Sequence, residues 1–158
     1  MRFRKLHRAA VAAAAAGLMF AAARAQAPGA DYSHVGATPG SWAYVTVSGG
    51  SEARFVDATG TIRLAVGCVR AARQVTIARI SQSPAAALFV WTTGGSRNLP
   101  ARFDQNSYRV SAQVGAFDRL LDEIAFSRGK VAVAMAGAPP LVVTSSPEPG
   151  RVFEDCRA

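Results

Sequence analysis

The chain ends in SPEPGRVFEDC, residues 146–156, a stretch that carries one of its only two cysteines. Its opening serine and proline are a specific signal for the start of a helix, because serine caps a first turn and proline fits its first position. Val152, Phe153 and Cys156 then share one helix face, since residues three and four apart are neighbours. The stretch predicts a C-terminal helix near 147–156 that docks through this face.

The other cysteine, Cys68, ends a run with strand-like alternation. Ile62, Leu64 and Val66 fall on the same side of such a strand as Cys68, because side chains two residues apart share a face. Cys68 is therefore predicted to point into the core together with aliphatic residues.

Residues 1–25 have the three parts of a signal peptide. Arg2, Arg4, Lys5 and Arg8 make the first eight positions basic, residues 9–23 form an apolar run, and Ala23-Arg24-Ala25 supplies a small-x-small cleavage pattern. We predict removal of this segment by cleavage before Gln26, which makes the protein exported and periplasmic. The run is too short and too rich in alanine for a membrane anchor, and no cysteine lies directly after it to carry a lipid.

Two cysteines in an exported chain favour a disulfide between Cys68 and Cys156. In the chain-entropy model, closing this loop of 88 residues stabilises the folded state by about 4–5 kcal/mol. A reactive thiol or a metal pair is the alternative, but there is no CxxC pattern and His34 is the one histidine after the cleavage site. We expect Cys156→Ala to cost more than loop closure alone, because Val152 and Phe153 would undock with it.

Removing the signal peptide changes the charge of the chain. The full sequence has a formal net charge of +8, but five of its 18 basic residues and none of its ten acids lie in residues 1–25. The 13 basic and ten acidic residues that remain give +3 over residues 26–158, which argues against nucleic-acid binding. The length suits a single mainly-β domain over residues 41–158, preceded by a flexible leader, rich in glycine and proline, over residues 26–40.

The body of the chain predicts an α+β fold with a mostly antiparallel sheet, as a small sandwich or a partly open barrel. Residues 87–93 are expected to form a central strand that is covered on both faces, and residues 94–100 a loop. One amphipathic helix is predicted near 117–127, because four apolar residues recur there with helical spacing: Phe117, Leu120, Leu121 and Ile124. About eight short strands are predicted: 42–47, 52–56, 61–68, 74–80, 87–93, 108–114, 131–135 and 141–144.

The sequence predicts no catalytic, cofactor-binding or metal-binding site. Catalysis by a Ser-His-Asp or Cys-His arrangement needs a positioned histidine, and His34 lies in the leader. A zinc site needs three or four Cys, His or acid ligands at suitable spacing, which the sequence lacks. Asp118, Asp122 and Glu123 on the predicted helix leave a hydrolase that uses acids alone as an alternative, provided that two carboxylates face each other across a cleft.

Three basic residues form the one cluster to which a binding role is assigned. Arg97 lies in the predicted loop, and Arg128 and Lys130 flank Gly129 where the helix gives way to a strand. Positive groups on loops bind anionic partners such as a lipopolysaccharide phosphate or a peptide carboxylate. The structural alternative is that Arg97 is solvated and that Arg128 binds the last carbonyls of the helix.

Several stretches also carry a resemblance to known proteins, and Phe126-Ser127-Arg128-Gly129 and Glu154-Asp155-Cys156-Arg157 are the most specific of them. Through these stretches, residues 60–157 resemble a group of small exported proteins of unknown function from alphaproteobacteria of the sphingomonad type. The resemblance implies an exported domain with one disulfide from a strand to the C-terminus, and it implies no activity. The other stretches are Arg63 to Cys68 with Arg73-Gln74-Val75, Thr92-Thr93 with Arg97 and Leu99-Pro100-Ala101, Leu120-Leu121-Asp122 with Ile124-Ala125, and Glu148 with Arg151-Val152.

We therefore expect a non-enzymatic binding or interaction module of the cell envelope, without a cofactor. The expected partner is an envelope protein or an anionic envelope component rather than nucleic acid, and no membrane span is expected after signal cleavage. An inhibitor of a hydrolase such as lysozyme is the first alternative, with Gly94 to Arg97 as the loop that enters the enzyme. The acid-only hydrolase is the second.

Overall fold

The computed structural model describes residues 30–158, which form ten β-strands and two α-helices. The predicted signal peptide and its cleavage site lie outside these residues. Neither described helix is long and apolar enough to cross a membrane. The elements are β1 (Gly40–Val47), β2 (Gly50–Asp57), β3 (Ile62–Val69), β4 (Gln74–Ile80), β5 (Ala87–Thr92), β6 (Gly95–Pro100), β7 (Arg102–Asp104), β8 (Arg109–Gly115), α1 (Arg119–Ala125), β9 (Lys130–Met135), β10 (Ala138–Thr144) and α2 (Pro147–Arg157).

The strands form two antiparallel sheets. The first sheet has the order β1-β2-β3-β4-β8-β7, and the second has the order β10-β9-β5-β6. The chain passes from the second sheet to the first between β6 and β7, which are separated by one residue. The predicted mostly antiparallel α+β fold is confirmed, and neither sheet closes on itself in the described part of the chain.

One apolar core lies between the inner faces of the two sheets and continues under both helices. Leu64, Val66 and Cys68 enter it from β3, as the alternation of that run predicted. Val90 and Val133 meet them from the second sheet and are almost fully buried. The core therefore forms where two faces with period-two alternation oppose each other.

Two of the ten strands, β6 and β7, are not predicted from the sequence. The prediction of a loop over residues 94–100 is wrong, because Gly95–Pro100 pairs with β5 along its whole length. Glycine, serine, asparagine and proline give this segment little β propensity of its own, so its strand conformation comes from pairing with the apolar β5. Pro100 is tolerated because β6 lies at the edge of its sheet.

Helix α1 confirms the predicted amphipathic helix, but with one residue placed differently. Leu120, Leu121 and Ile124 are buried as expected. Asp118 is the N-cap and accepts a hydrogen bond from the amide of Leu120 at 2.9 Å. Phe117 precedes this cap and is 67% exposed, so its assignment to the buried face is wrong. A residue before the cap no longer follows the helical period.

Helix α2 packs against β1, β2, β3 and β4, and the disulfide Cys68–Cys156 ties it to β3. The cysteine Cα atoms are 5.5 Å apart, an ordinary separation for a disulfide. The serine and proline that signalled the helix start occupy its N-cap and first position. Val152 and Phe153 are buried beside the bond. The predicted disulfide, helix start and docking face are all confirmed.

Residues 30–39 cover part of the outer face of the second sheet. Tyr32 is 3% exposed, and its ring centroid lies 6.4 Å from that of Phe89 and 6.1 Å from that of Trp91. Tyr32 therefore packs on the sheet within the segment predicted to be a flexible leader, and the flexibility of that segment stays a prediction. A single aromatic anchor among glycines and prolines leaves no periodic signal in the sequence, so its burial becomes visible only against the sheet.

Candidate functional site

Arg97 lies on β6 and forms a partly exposed ion pair with a residue of the same chain. Its Nη2 donates to Oδ2 of Asp118 at 2.8 Å, next to the carboxylate oxygen that caps α1. The hydrogen bond from Arg97 holds the pKa of Asp118 below its ordinary value, with a smaller contribution from the amide of Leu120. Arg97 therefore already has a carboxylate partner and helps to anchor the start of α1.

Lys130 is the first residue of β9, and its ammonium group holds the leader in place. Nζ donates to the carbonyl of Ser33 at 3.1 Å and to that of Val35 at 2.7 Å. These two contacts occupy two of the three N–H donors of the group. The position of residues 33–35 on the second sheet thus depends on a residue for which a partner contact was predicted.

Arg128 follows α1 and lines an open cleft of about 580 Å³ between α1 and the turn from β5 to β6. Arg119 and Phe126 line the same cleft. Neither Arg97 nor Lys130 is among the described residues that line it. The three predicted basic residues therefore do not gather in one pocket, and only Arg128 retains an open surface position beside a cleft.

Ser127 and Thr93 join the two sides of this cleft. The hydroxyl of Ser127 donates to the carbonyl of Lys130 at 2.5 Å and accepts from the amide of Thr93 at 3.1 Å. The amide of Arg128 donates to the hydroxyl of Thr93 at 2.8 Å. Two of these bonds join the segment after α1 to Thr93, which directly follows β5, and the third joins that segment to the start of β9. Hydrogen bonds therefore hold the backbone that carries Phe126 and Arg128.

Phenylalanines at the two ends of α1 are the most exposed large apolar side chains of the described residues. Phe126 is 80% exposed and Phe117 is 67% exposed. Arg119 and Arg128 lie close to them along the chain, and aromatic and arginine side chains are enriched at protein interfaces. We call these four residues (Phe117, Arg119, Phe126 and Arg128) the α1 surface.

The acids of α1 are paired with arginines. Asp122 Oδ1 lies 2.8 Å from Arg157 Nη2, and Glu123 Oε1 lies 3.0 Å from Arg119 Nε. Both acids line the cleft from the same helix, whereas glycosidase chemistry needs carboxylates on opposite sides of the bond that breaks. This arrangement gives no support to the acid-only hydrolase. Residues 30–158 also contain no group of three or more His, Cys, Asp or Glu side chains that could hold a metal ion.

Arg79 on β4 is a candidate that sequence reasoning missed. It is 5% exposed, and it donates to the carbonyl of Val133 at 2.9 Å and to that of Pro139 at 2.5 Å. Burial and, second, the positive charge of Arg63 lower the pKa of Arg79 to about 10, so its side chain is still protonated at neutral pH. One signal in the sequence could have identified Arg79. It follows Ile77 by two residues in a predicted strand, so both side chains share a face, and a charged residue on an apolar strand face is unusual.

The disulfide fits an extracellular or periplasmic protein, because such bonds persist in oxidising compartments. No protein-family model, curated protein or solved structure matches this chain. The resemblance to exported alphaproteobacterial proteins therefore stays a prediction.

Proposed function

We propose that this chain is an exported, non-enzymatic binding module of the periplasm, which binds a protein of the cell envelope through the α1 surface. The signal-peptide pattern of residues 1–25 and the disulfide support export. The observation that carries the binding role is Phe126, an aromatic side chain that is 80% exposed although its backbone is held by neighbouring hydrogen bonds.

The exposed ring supplies the affinity in this proposal. Burying a phenylalanine side chain against a partner yields about 1.5–3 kcal/mol. Because the segment around Phe126 is already ordered, binding costs little further conformational entropy, which is the advantage of a preorganised surface.

The arginines of the α1 surface suggest the character of the partner. Arg119 is largely exposed beside its ion pair with Glu123, and Arg128 lies at the rim of the cleft. Charges at the rim of an interface that complement those of the partner increase specificity and speed up the association of the two proteins. The expected partner therefore presents an apolar pocket for Phe126 with acidic residues around it.

The hydrolase-inhibitor alternative needs a loop that enters an enzyme cleft. Gly95 to Arg97 pair with β5, so only Thr93 and Gly94 form the turn between the strands. This short turn offers little chain to insert. The inhibitor stays a prediction from the sequence that no feature of the structure favours.

A comparison of variants tests the α1 surface. The protein from Gln26 onward, immobilised as wild type or as Phe126→Ser with Arg128→Glu, is exposed to envelope fractions, and the retained proteins are quantified by mass spectrometry. We expect one partner to be retained by the wild type and lost by the variant. Against that purified partner, the variant is expected to weaken binding by at least about 2 kcal/mol, the size of a hot-spot loss, in titration calorimetry.

Tyr108→Ser with Arg102→Glu is the matched control, because it removes an exposed aromatic ring and reverses an exposed arginine away from α1. This control is expected to retain the partner. Equal retention by the wild type and the Phe126→Ser, Arg128→Glu variant would show that the α1 surface is not the binding site.

A further inference from the structure

A second cleft lies at one end of the sandwich, where the first sheet meets the turn between β9 and β10. Its volume is about 370 Å³, within the range of small-molecule sites. Arg63 and Arg79 line it together with the hydroxyl-bearing residues Thr61, Ser81 and Ser83. It shares no residue with the α1 surface, so it raises a separate question about function.

Two prolines explain why one wall of this cleft is irregular. Pro139 and Pro140 have no N–H to donate to a sheet ladder, and the register of β9 and β10 shifts between Ala138 and Leu141. The carbonyl of Pro139 accepts a hydrogen bond from Arg79 Nη2 at 2.5 Å. The prolines thus interrupt the sheet at the place where Arg79 bridges the two layers.

Arg79 is a buried cation without a carboxylate partner among the described residues. None of the ion pairs found within residues 30–158 includes it. Its two carbonyl contacts occupy two of the five N–H donors of a guanidinium, and carbonyl groups do not neutralise its charge. A buried ion without an opposite charge is unfavourable by several kcal/mol. An anion in the cleft would relieve a free-energy cost that the fold already carries.

Arg63 places a second positive charge on the same cleft. It is near enough to Arg79 to disfavour that residue's charged form. The acid nearest to Arg63 is Asp57, whose Oδ2 lies 3.3 Å from Arg63 Nη1, while its Oδ1 accepts from the amides of Thr59 and Thr61. One long ion pair at a half-exposed side chain therefore leaves an excess of positive charge at the cleft.

We infer that this cleft binds a phosphomonoester, with the phosphate group between Arg63 and Arg79. Two guanidinium groups suit a group of about two negative charges, because each can donate paired hydrogen bonds to phosphate oxygens. Hydroxyls of Thr61 and Ser83 supply further donors on the walls. The cleft is larger than a phosphate group requires, so the organic part of the ligand also fits.

Titration calorimetry with glycerol 3-phosphate tests this assignment on the protein from Gln26 onward. We expect a dissociation constant on the order of 10–100 μM at low salt. Arg63→Gln is expected to weaken binding about tenfold by removing one charge-assisted contact, and Arg79→Met is expected to abolish it. Arg102→Gln, which changes an exposed arginine outside the cleft, is expected to leave binding unchanged.

Folding of the variants is checked by circular dichroism and thermal unfolding. If Arg79→Met does not fold, Arg63→Gln decides the question, because Arg63 is half exposed. Vesicles of phosphatidylcholine with and without phosphatidic acid show whether the phosphate comes from a lipid headgroup or from a soluble molecule. Binding in either arm that depends on Arg63 supports the site. No binding in either arm, unchanged binding by Arg63→Gln, or equally tight binding of acetate would overturn it.

Discussion

Arg97, Lys130 and Arg79 are three cations of one chain with three different uses. Arg97 pairs with Asp118 and anchors the start of a helix. Lys130 binds leader carbonyls, and Arg79 is buried beside a cleft without an acid partner among the described residues. The behaviour of each charged group follows from burial, nearby charges and hydrogen bonds. At this scale the residue type alone therefore does not identify a binding residue.

We expect Asp118→Asn to lower the free energy of unfolding by about 0.5–1 kcal/mol at pH 7, because the amide still caps α1 but loses the ion pair with Arg97. The pKa of Asp118 is lowered in the folded state. Its charge therefore stabilises the fold above the pKa of the unfolded chain, and this contribution is lost as the pH falls through the folded-state pKa. Urea unfolding of both proteins across the acid range measures it.

Arg97→Gln and the double variant complete a mutant cycle for this ion pair. The coupling between the two positions is expected at neutral pH and is expected to fade as the pH falls through the lowered folded-state pKa of Asp118, because the protonated carboxyl no longer forms an ion pair. A coupling that stayed constant across this range would contradict an ionic origin.

Among the elements, α2 depends most clearly on tertiary contacts. It has 11 residues, and isolated helices shorter than about 12–15 residues are marginal in water. Its first turns also contain two prolines and a glycine. Burial of Val152 and Phe153 and the bond between Cys68 and Cys156 therefore stabilise it. The helix in turn covers the core residues of the first-sheet strands that it contacts, β1 to β4.

Removal of the disulfide by Cys68→Ala with Cys156→Ala is expected to lower the free energy of unfolding by more than the roughly 4–5 kcal/mol of loop closure, because α2 loses its tether. Phe153→Ala with the disulfide intact is expected to cost about 3–5 kcal/mol through lost packing. Thermal unfolding with and without a reducing agent measures the first effect. Unchanged stability of the wild type on reduction would refute the proposed role of the bond.

At the scale of the whole molecule, the second sheet is covered on its inner face and on part of its outer face. The core covers its inner face, and residues 30–39 cover part of its outer face. Phe89 on β5 illustrates the need for the second layer, because it points away from the core and is nevertheless buried. The predicted central, doubly covered strand over residues 87–93 is confirmed, and the leader supplies part of the covering.

The hydroxyl of Tyr32 is buried and has no hydrogen-bond partner among the described residues. Tyr32→Phe is therefore expected to leave stability unchanged or to raise it by up to about 1 kcal/mol, because it removes an unsatisfied polar group. Tyr32→Ala is expected to lower stability by about 3 kcal/mol, because it leaves a cavity over Phe89. Urea unfolding compares both variants with the wild type. Marked destabilisation by Tyr32→Phe would show that the hydroxyl is satisfied.

Features whose signals lie within one segment were predictable. The alternation that ends at Cys68, the helical spacing of Leu120, Leu121 and Ile124, and the start of α2 are local patterns, and each is confirmed. β6 was not predictable in this way, because pairing with β5 imposes its strand conformation. The cysteine pairing was predictable for a different reason, since a chain with two cysteines offers one intramolecular pairing.

At the candidate sites, the chemistry of each side chain is a local property, whereas its contacts depend on the folded chain. The sequence determined which residues are cationic, aromatic or capable of forming a disulfide, because these properties belong to the side chains. The tertiary structure decided their partners. Arg97 meets a carboxylate 21 residues away, and Arg79 meets a carbonyl 60 residues away. Burial and electrostatic free energy depend on such distances in space, and in a two-sheet fold residues far apart in the chain set them.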